Sequence, residues 1–210
     1  MSRTENPGSL FVIVAPSGAG KTSLVRGLLQ NEPDVRLSVS FTTRQPRPGE
    51  RDGIDYRFIG VEEFERRRSE GEFLEWARVH DNLYGTSRAW IEAQMAKGQD
   101  IILEIDCQGA EQVKRLYPDA VGIFIAPPSI EELARRLRAR AQDAETVIQR
   151  RIDAAQAELA QAERFEYVII NQDFGIALEQ LRAVVRAARL RYSRQLARNP
   201  VVFSQLRLAR

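Results

Sequence analysis

The run Leu10-Phe11-Val12-Ile13-Val14-Ala15-Pro16-Ser17-Gly18-Ala19-Gly20-Lys21-Thr22 decides the fold. Residues 10–15 are apolar without alternation, the pattern of a strand buried on both faces. Residues 16–19 break that run. From Gly20 to Leu29 the apolar Leu24, Val25, Leu28 and Leu29 fall on one side of a helix. Strand, glycine loop and helix, in that order, match the phosphate-loop pattern G-x-x-x-x-G-K-S/T at Gly20, Lys21 and Thr22, with Ala15 where the first glycine usually stands. Such a loop aims backbone N–H groups into one concavity at a helix N-terminus, which carries about half a positive charge. Gly18 and Gly20 permit the backbone angles and the close approach. Lys21 supplies a compact cation for β- and γ-phosphates, and Thr22 a hydroxyl for Mg²⁺. Ala15, Pro16, Ser17, Gly18, Ala19, Gly20, Lys21 and Thr22 therefore predict a nucleoside triphosphate site. They do not say what is phosphorylated or moved.

Outward from this loop the strand–helix rhythm repeats. Residues 100–106, 120–126 and 167–170 read as further buried strands, the second stopped by Pro127 and Pro128. Helical patterns separate them at 109–116, at 130–140 after Ser129, and at 174–197 after Asp173. The expected class is α/β, a three-layer P-loop NTPase core with a parallel sheet. Residues 38–92 break the rhythm: 38–43, 56–59 and 73–79 alternate polar and apolar, and 45–49 form a turn. They predict a small, mixed α+β lobe inserted in the core. Residues 131–157 are helical, rich in Arg and Ala and poor in large apolar side chains, which suits a moving lid. The expected division is a core of 1–37, 93–130 and 158–210, a lobe of 38–92 and a lid of 131–157.

The 210 residues are enough to bury about 70% of the unfolded surface without staples. One cysteine, Cys107, excludes an intrachain disulfide and a multi-Cys zinc site, and one histidine, His80, argues against His-based metal or Ser-His-Asp chemistry. Neither carries an evident role. No apolar run approaches a membrane span, and residues 1–7 lack a signal-type apolar core, so the expected compartment is the cytoplasm. The net charge of +2 hides an asymmetry: residues 182–210 hold eight Arg and no acid, leaving a net −6 on the rest. That basic segment reads as a solvated helix face or a contact between subunits, and so a possible homo-oligomer. Nucleic-acid contact is the weaker reading, because no aromatic-basic platform accompanies it.

Arg44 and Arg47 lie three apart, beside Thr42, Thr43 and the turn. Alone they are a charged turn; near a phosphate loop, two guanidinium forks suit a second phosphate. The stretch Ser40-Phe41-Thr42-Thr43-Arg44-Gln45-Pro46-Arg47-Pro48-Gly49-Glu50, with Gly53 and Tyr56, resembles the nucleotide-monophosphate lobe of the guanylate kinases, and residues 15–22 are similar to their phosphate loop. Further matches are Glu72 to Trp76, Tyr84-Gly85-Thr86, Ile105 to Gly109, Ala126 to Ser129, Arg151, and Val168 to Asn171, so the likeness runs in order over about residues 8–190. It resembles the bacterial enzyme type rather than the guanylate-kinase-like domain of scaffolds.

The resemblance implies ATP and GMP as substrates with Mg²⁺, and transfer of the γ-phosphoryl group to give ADP and GDP. It implies that Ser40, Arg44, Arg47, Tyr56 and Tyr84 would hold the GMP phosphate, with Glu50 also in the GMP site. Glu75, Thr86 and Asp106 would read the guanine. Arg136, Arg140 and Arg151 would close over the ATP phosphates with Lys21 and Arg44 in the chemistry, and Asn171 would lie near the adenine. Without the resemblance, Glu75 reads as a solvated acid on a strand, and Arg136 and Arg140 as a charged helix face. Two positions depart from the family pattern: Glu104 stands where the first acid of a D-x-D pair is usual, and Ala15 replaces the loop's first glycine in some relatives. The rival readings are a protein-binding module without catalysis and a kinase of another small phosphate ester.

Overall fold

In a computed structural model, residues 8–79, 81–139 and 145–208 are described; His80 and Arg140 lie outside them. The chain runs β1 (Leu10–Val14), α1 (Lys21–Asn31), β2 (Val35–Leu37), β3 (Phe41–Thr42), β4 (Arg57–Phe58), α2 (Val61–Ser69), β5 (Phe73–Val79), β6 (Asn82–Ser87) and α3 (Arg88–Ala96). It continues through β7 (Asp100–Glu104), α4 (Cys107–Leu116), β8 (Val121–Ala126), α5 (Ile130–Ala139), α6 (Glu145–Leu159), β9 (Tyr167–Ile170), α7 (Phe174–Ala188), α8 (Tyr192–Arg198) and α9 (Pro200–Gln205).

Five strands form one sheet in the order β2-β7-β1-β8-β9, every neighbouring pair parallel. β1 is central, with Val12 opposite both Leu103 and Gly122. Its unbroken apolar run follows from helices on both faces. Phe11 and Ile13 pack with Leu24 and Leu28 of α1 and Leu181 and Val185 of α7. Leu10, Val12 and Val14 pack with Ile91 of α3 and Ala110 and Val113 of α4. This is the three-layer α/β core that the sequence predicts, and it sets the glycine loop at the carboxyl end of the central strand.

The second sheet, β4-β3-β6-β5, is mixed: β3 and β4 are parallel, while β6 is antiparallel to both β3 and β5. Phe41, Phe64, Phe73 and Leu83 form its own core, with the Phe64 and Phe73 rings 4.6 Å apart. Gly85 keeps room for them, since a Cβ there would lie 3.0 Å from the Phe73 ring. Between Phe73 and Glu75 the strand register slips by one residue. Such a bulge re-aims side chains: Phe73 enters the lobe core while Leu74 joins the core of the large sheet. The lobe is tied to α4 by the Gln112 amide, which donates to the Trp76 carbonyl at 2.8 Å and accepts from its N–H at 3.3 Å.

α5 and α6 share a small core of Leu133, Leu137, Ile148 and Ile152. The single helix expected over 174–197 is two, broken at Arg189 to Arg191. Arg189 turns onto two buried acids, 2.7 Å to Asp100 and 3.1 Å to Glu32, and Arg186 reaches Glu32 at 2.9 Å. Asp100 and Glu32 are 1% and 5% exposed, and buried carboxylates require such partners. Part of the basic C-terminal segment thus neutralises acids of its own core. The strand expected to reach Asp106 ends at Glu104, because Asp106 caps α4 and accepts from Gly109 N–H at 2.8 Å. Among the described residues no helix is long and apolar enough to cross a membrane.

Candidate active site

The loop from Ala15 to Gly20 leaves the end of β1. Gly18 and Gly20 have φ of +94° and +96°, backbone that a side chain rarely adopts. The Ala19 N–H bonds back to the Pro16 carbonyl at 3.0 Å, which rounds the turn. Lys21 Nζ donates to the Ile105 carbonyl at 3.2 Å. Thr22 Oγ1 donates to Glu104 Oε2 at 3.1 Å, so the longer acid at the departure from D-x-D still meets the loop hydroxyl. Glu104 Oε1 is buried with no hydrogen-bond partner. A hydroxyl and an under-used carboxylate are hard oxygen donors that fit Mg²⁺. Among the described residues no cluster of three His, Cys, Asp or Glu side chains could cage a metal. A cation here would share its shell with phosphates and water, as Mg²⁺ commonly does.

A second group converges beside it. Glu75 on β5 is only 3% exposed and pairs in register with Thr86 on β6. Burial pushes the Glu75 carboxyl up to about 7; a bond with Thr86 opposes this and the Asp106 charge adds to it. Thr86 Oγ1 lies 3.3 Å from Ser40 Oγ. A Cβ at position 109 would come within 2.5 Å of Glu75 Oε2, so the glycine at the start of α4 makes room for the acid. Glu75, Thr86, Ser40 and Asp106 thus meet, although Ser40 precedes β3 of the small sheet and Asp106 caps α4 after β7 of the large one. Ile105, which holds Lys21, immediately precedes Asp106.

Arg44 is clamped by Glu50, Nη2 lying 2.9 Å from each carboxylate oxygen, and donates through Nη1 to the Gln45 carbonyl at 2.7 Å. Its guanidinium lies 5.3 Å from the Tyr56 ring centre, and Tyr56 meets Tyr84 edge-on at 5.9 Å. Glu50 also accepts the Arg47 N–H at 2.7 Å. Although burial raises the Glu50 pKa, these bonds hold it below the ordinary carboxylate value. Burial raises the Tyr56 hydroxyl, with smaller contributions from Tyr84 and Glu104.

On the other flank, Arg136 of α5 donates to Glu132 at 2.7 Å, to the Asn171 carbonyl at 2.9 Å and to the Ala19 carbonyl at 3.5 Å. A cleft of about 390 Å³ opens there between Gly18, Gly20, Arg136, Asn171 and Phe174. Arg151 is half-buried on α6. Sequence reasoning missed Glu158, a half-buried acid of α6. Burial raises its pKa, with Lys21 lowering it and Asp106 raising it, and it lines a cleft together with Asp106. Its signal was the seven-residue spacing from Arg151, which puts both on one helix face. Gln112, the tie between lobe and core, carried no signal.

A family model described as guanylate kinase matches residues 8–188. The chain is 56% identical to the guanylate kinase of Aromatoleum aromaticum, over 95% of this chain and 98% of that one. It is 55% identical to the guanylate kinase of Bordetella pertussis, over 98% and 96%, and 58% identical to that of Ralstonia nicotianae, over 95% and 90%. The crystal structure of guanylate kinase from Anaplasma phagocytophilum superposes with a TM-score of 0.77 at 35% identity, covering 90% of each chain. A phosphate loop at the end of a central parallel strand, a tyrosine- and arginine-lined lobe beside it, and this depth of identity lead to one placement: the chain belongs to the guanylate kinase family.

Proposed function

We propose that this chain transfers the γ-phosphoryl group of ATP to GMP, giving ADP and GDP. The observation that carries the reading is the single-residue step between the two halves of the site: Lys21 bonds the Ile105 carbonyl, and Asp106 faces buried Glu75. A donor phosphate held by the loop and a base held by the acids would then share one site.

Guanine presents N1–H and N2–H₂ as donors, which Glu75 and Asp106 accept, with Thr86 beside them. Adenine presents a lone pair at N1 and no amino group at C2. A buried carboxylate facing that lone pair loses its partner, which rejects the wrong base by orders of magnitude. Ser40, Arg44, Arg47, Tyr56 and Tyr84 hold the GMP phosphate, and Glu50 keeps Arg44 aimed at it. The attacking phosphate oxygen is already anionic at neutral pH, so no general base is required. The obstacle is repulsion between two anions, and catalysis consists of alignment and charge neutralisation. Lys21 and the loop N–H groups carry the donor phosphates; Arg136, Arg140 and Arg151 neutralise charge on the transferring group. Thr22 and Glu104 would hold Mg²⁺, which when bound supplies positive charge to the donor phosphates. Residues 131–157 act as a lid and 38–92 as the GMP lobe, both closing to exclude water as a competing acceptor. The cytoplasm is the compartment that suits these substrates. Self-association through the C-terminal segment is supported by Tyr192, Val201, Val202 and Leu206, which α8, α9 and the turn after them leave exposed.

An assay of ADP release from Mg·ATP with GMP, AMP, UMP and CMP tests the reading. GMP is expected to be preferred by at least ~100-fold, the margin a hydrogen-bonding base site gives. Equal turnover of AMP would move base recognition away from Glu75. Absence of Mg·ATP binding would make the chain a binding module instead.

A further inference from the structure

Asn171, the residue after β9, joins three parts of the site. It is 6% exposed, and its own N–H is anchored on the Ala126 carbonyl at 2.8 Å, at the end of β8. Its side-chain Nδ2 donates to the Ala19 carbonyl at 2.7 Å. Its backbone carbonyl accepts Arg136 Nη2 at 2.9 Å, and Arg136 Nη1 reaches the same Ala19 carbonyl at 3.5 Å. The approach is close: a Cβ at position 20 would lie 2.3 Å from Asn171 Nδ2. Gly20 is therefore required by its backbone angle and by this amide together.

The peptide between Ala19 and Gly20 is planar and trans, so its carbonyl and its N–H point in opposite directions. Holding the carbonyl against Asn171 turns the Gly20 N–H the other way. A glycine on each side of Ala19 leaves this peptide easy to rotate, and a rotated peptide would present a carbonyl oxygen to anionic phosphates. We propose that Asn171 is a positioning residue, whose amide presets the Ala19–Gly20 peptide for the triphosphate and whose carbonyl docks Arg136 at the same point. The inference rests on the kinase reading above and differs from an adenine contact, because the amide is committed to the loop.

The test uses Asn171→Asp, nearly the same size without the N–H donor, and Asn171→Ser, too short to reach, in the full chain. Turnover is measured with Mg·ATP and with Mg·ITP, whose base lacks adenine's amino group. Both variants are expected to lose about 10- to 100-fold in kcat, the range for one buried hydrogen bond removed. The loss is the same for ATP and ITP, and the KM for GMP stays within about twofold because the lobe is untouched. Relative to the unaltered chain, Asn171→Asp recovers rate as the pH is lowered, since a protonated carboxyl again offers a donor to Ala19, whereas Asn171→Ser does not recover. A kcat within twofold of the unaltered chain for both variants overturns the proposal, as does a loss confined to ATP with ITP spared. If one variant does not fold, the other decides. Failure of the unaltered chain to phosphorylate GMP would instead remove the kinase reading itself.

Discussion

The phosphate loop and the Glu75 pocket hold polar groups by opposite means. The loop works with backbone. Its polarity is fixed by two left-handed glycines, a helix N-terminus and one asparagine amide, none of which titrates. The pocket works with a carboxyl group taken out of water, which burial pushes toward neutral pH. One region is preset whatever the solution conditions. The other would be set by its ligand: in the proposed reading, guanine's two donors return to Glu75 the hydrogen bonds that burial removed.

Lys21→Ala tests the loop side and carries the largest expected effect, a fall in kcat of at least ~10³-fold, the scale of a lost transition-state electrostatic contact. GMP binding, followed by calorimetry, remains near that of the unaltered chain. Near-normal turnover would remove the loop from the chemistry. On the pocket side, Glu75→Gln must present an N–H₂ to one guanine donor, and the GMP:AMP ratio of kcat/KM is expected to fall by about 10²-fold.

The pH dependence sharpens the contrast. If Glu75 binds guanine as a carboxylate, as proposed, the KM for GMP rises below pH 7, by up to about tenfold per unit, while the KM for ATP stays flat. The stability sign is the reverse. A carboxyl whose folded pKa is raised from 4.5 to about 7 binds more protons folded than unfolded in that window. Its contribution to stability is present below about 4.5 and is lost as the pH rises through 7. A KM for GMP that does not change between pH 8 and 6 would refute the buried-acid reading. The smallest effect belongs to Arg26→Ala. Arg26 links α1 to Asp55 of the lobe at 3.4 Å, but it is 69% exposed, and such pairs contribute ~0–1 kcal/mol. Turnover and melting temperature are expected to be unchanged within error.

Leu10 to Thr22 carried the core almost unaided. An apolar run without alternation, a glycine break and an amphipathic helix are local patterns, and each became the element it predicts. Short elements were less legible. α2 buries one side chain, Phe64, among charged neighbours, and β2 has three residues, too few for a period to register. The long C-terminal helical pattern ends where Arg189 meets Asp100, 89 residues away, and no local propensity reports such a partner.

From residue order alone follow the strand, the loop and the chemical types available: a lysine, a threonine, paired arginines and isolated acids. Tertiary contact chose among their meanings. Glu75 by itself reads as a solvated strand acid; a register slip after Phe73, room at Gly109 and the N-terminus of α4 packed against it make it a buried one. Asn171 has no local signal at all for its amide's partner, Ala19, 152 residues earlier. The physical cause is common to both. Periodicity records which face of an element avoids water, whereas desolvation and hydrogen bonding depend on what the rest of the chain brings against that face.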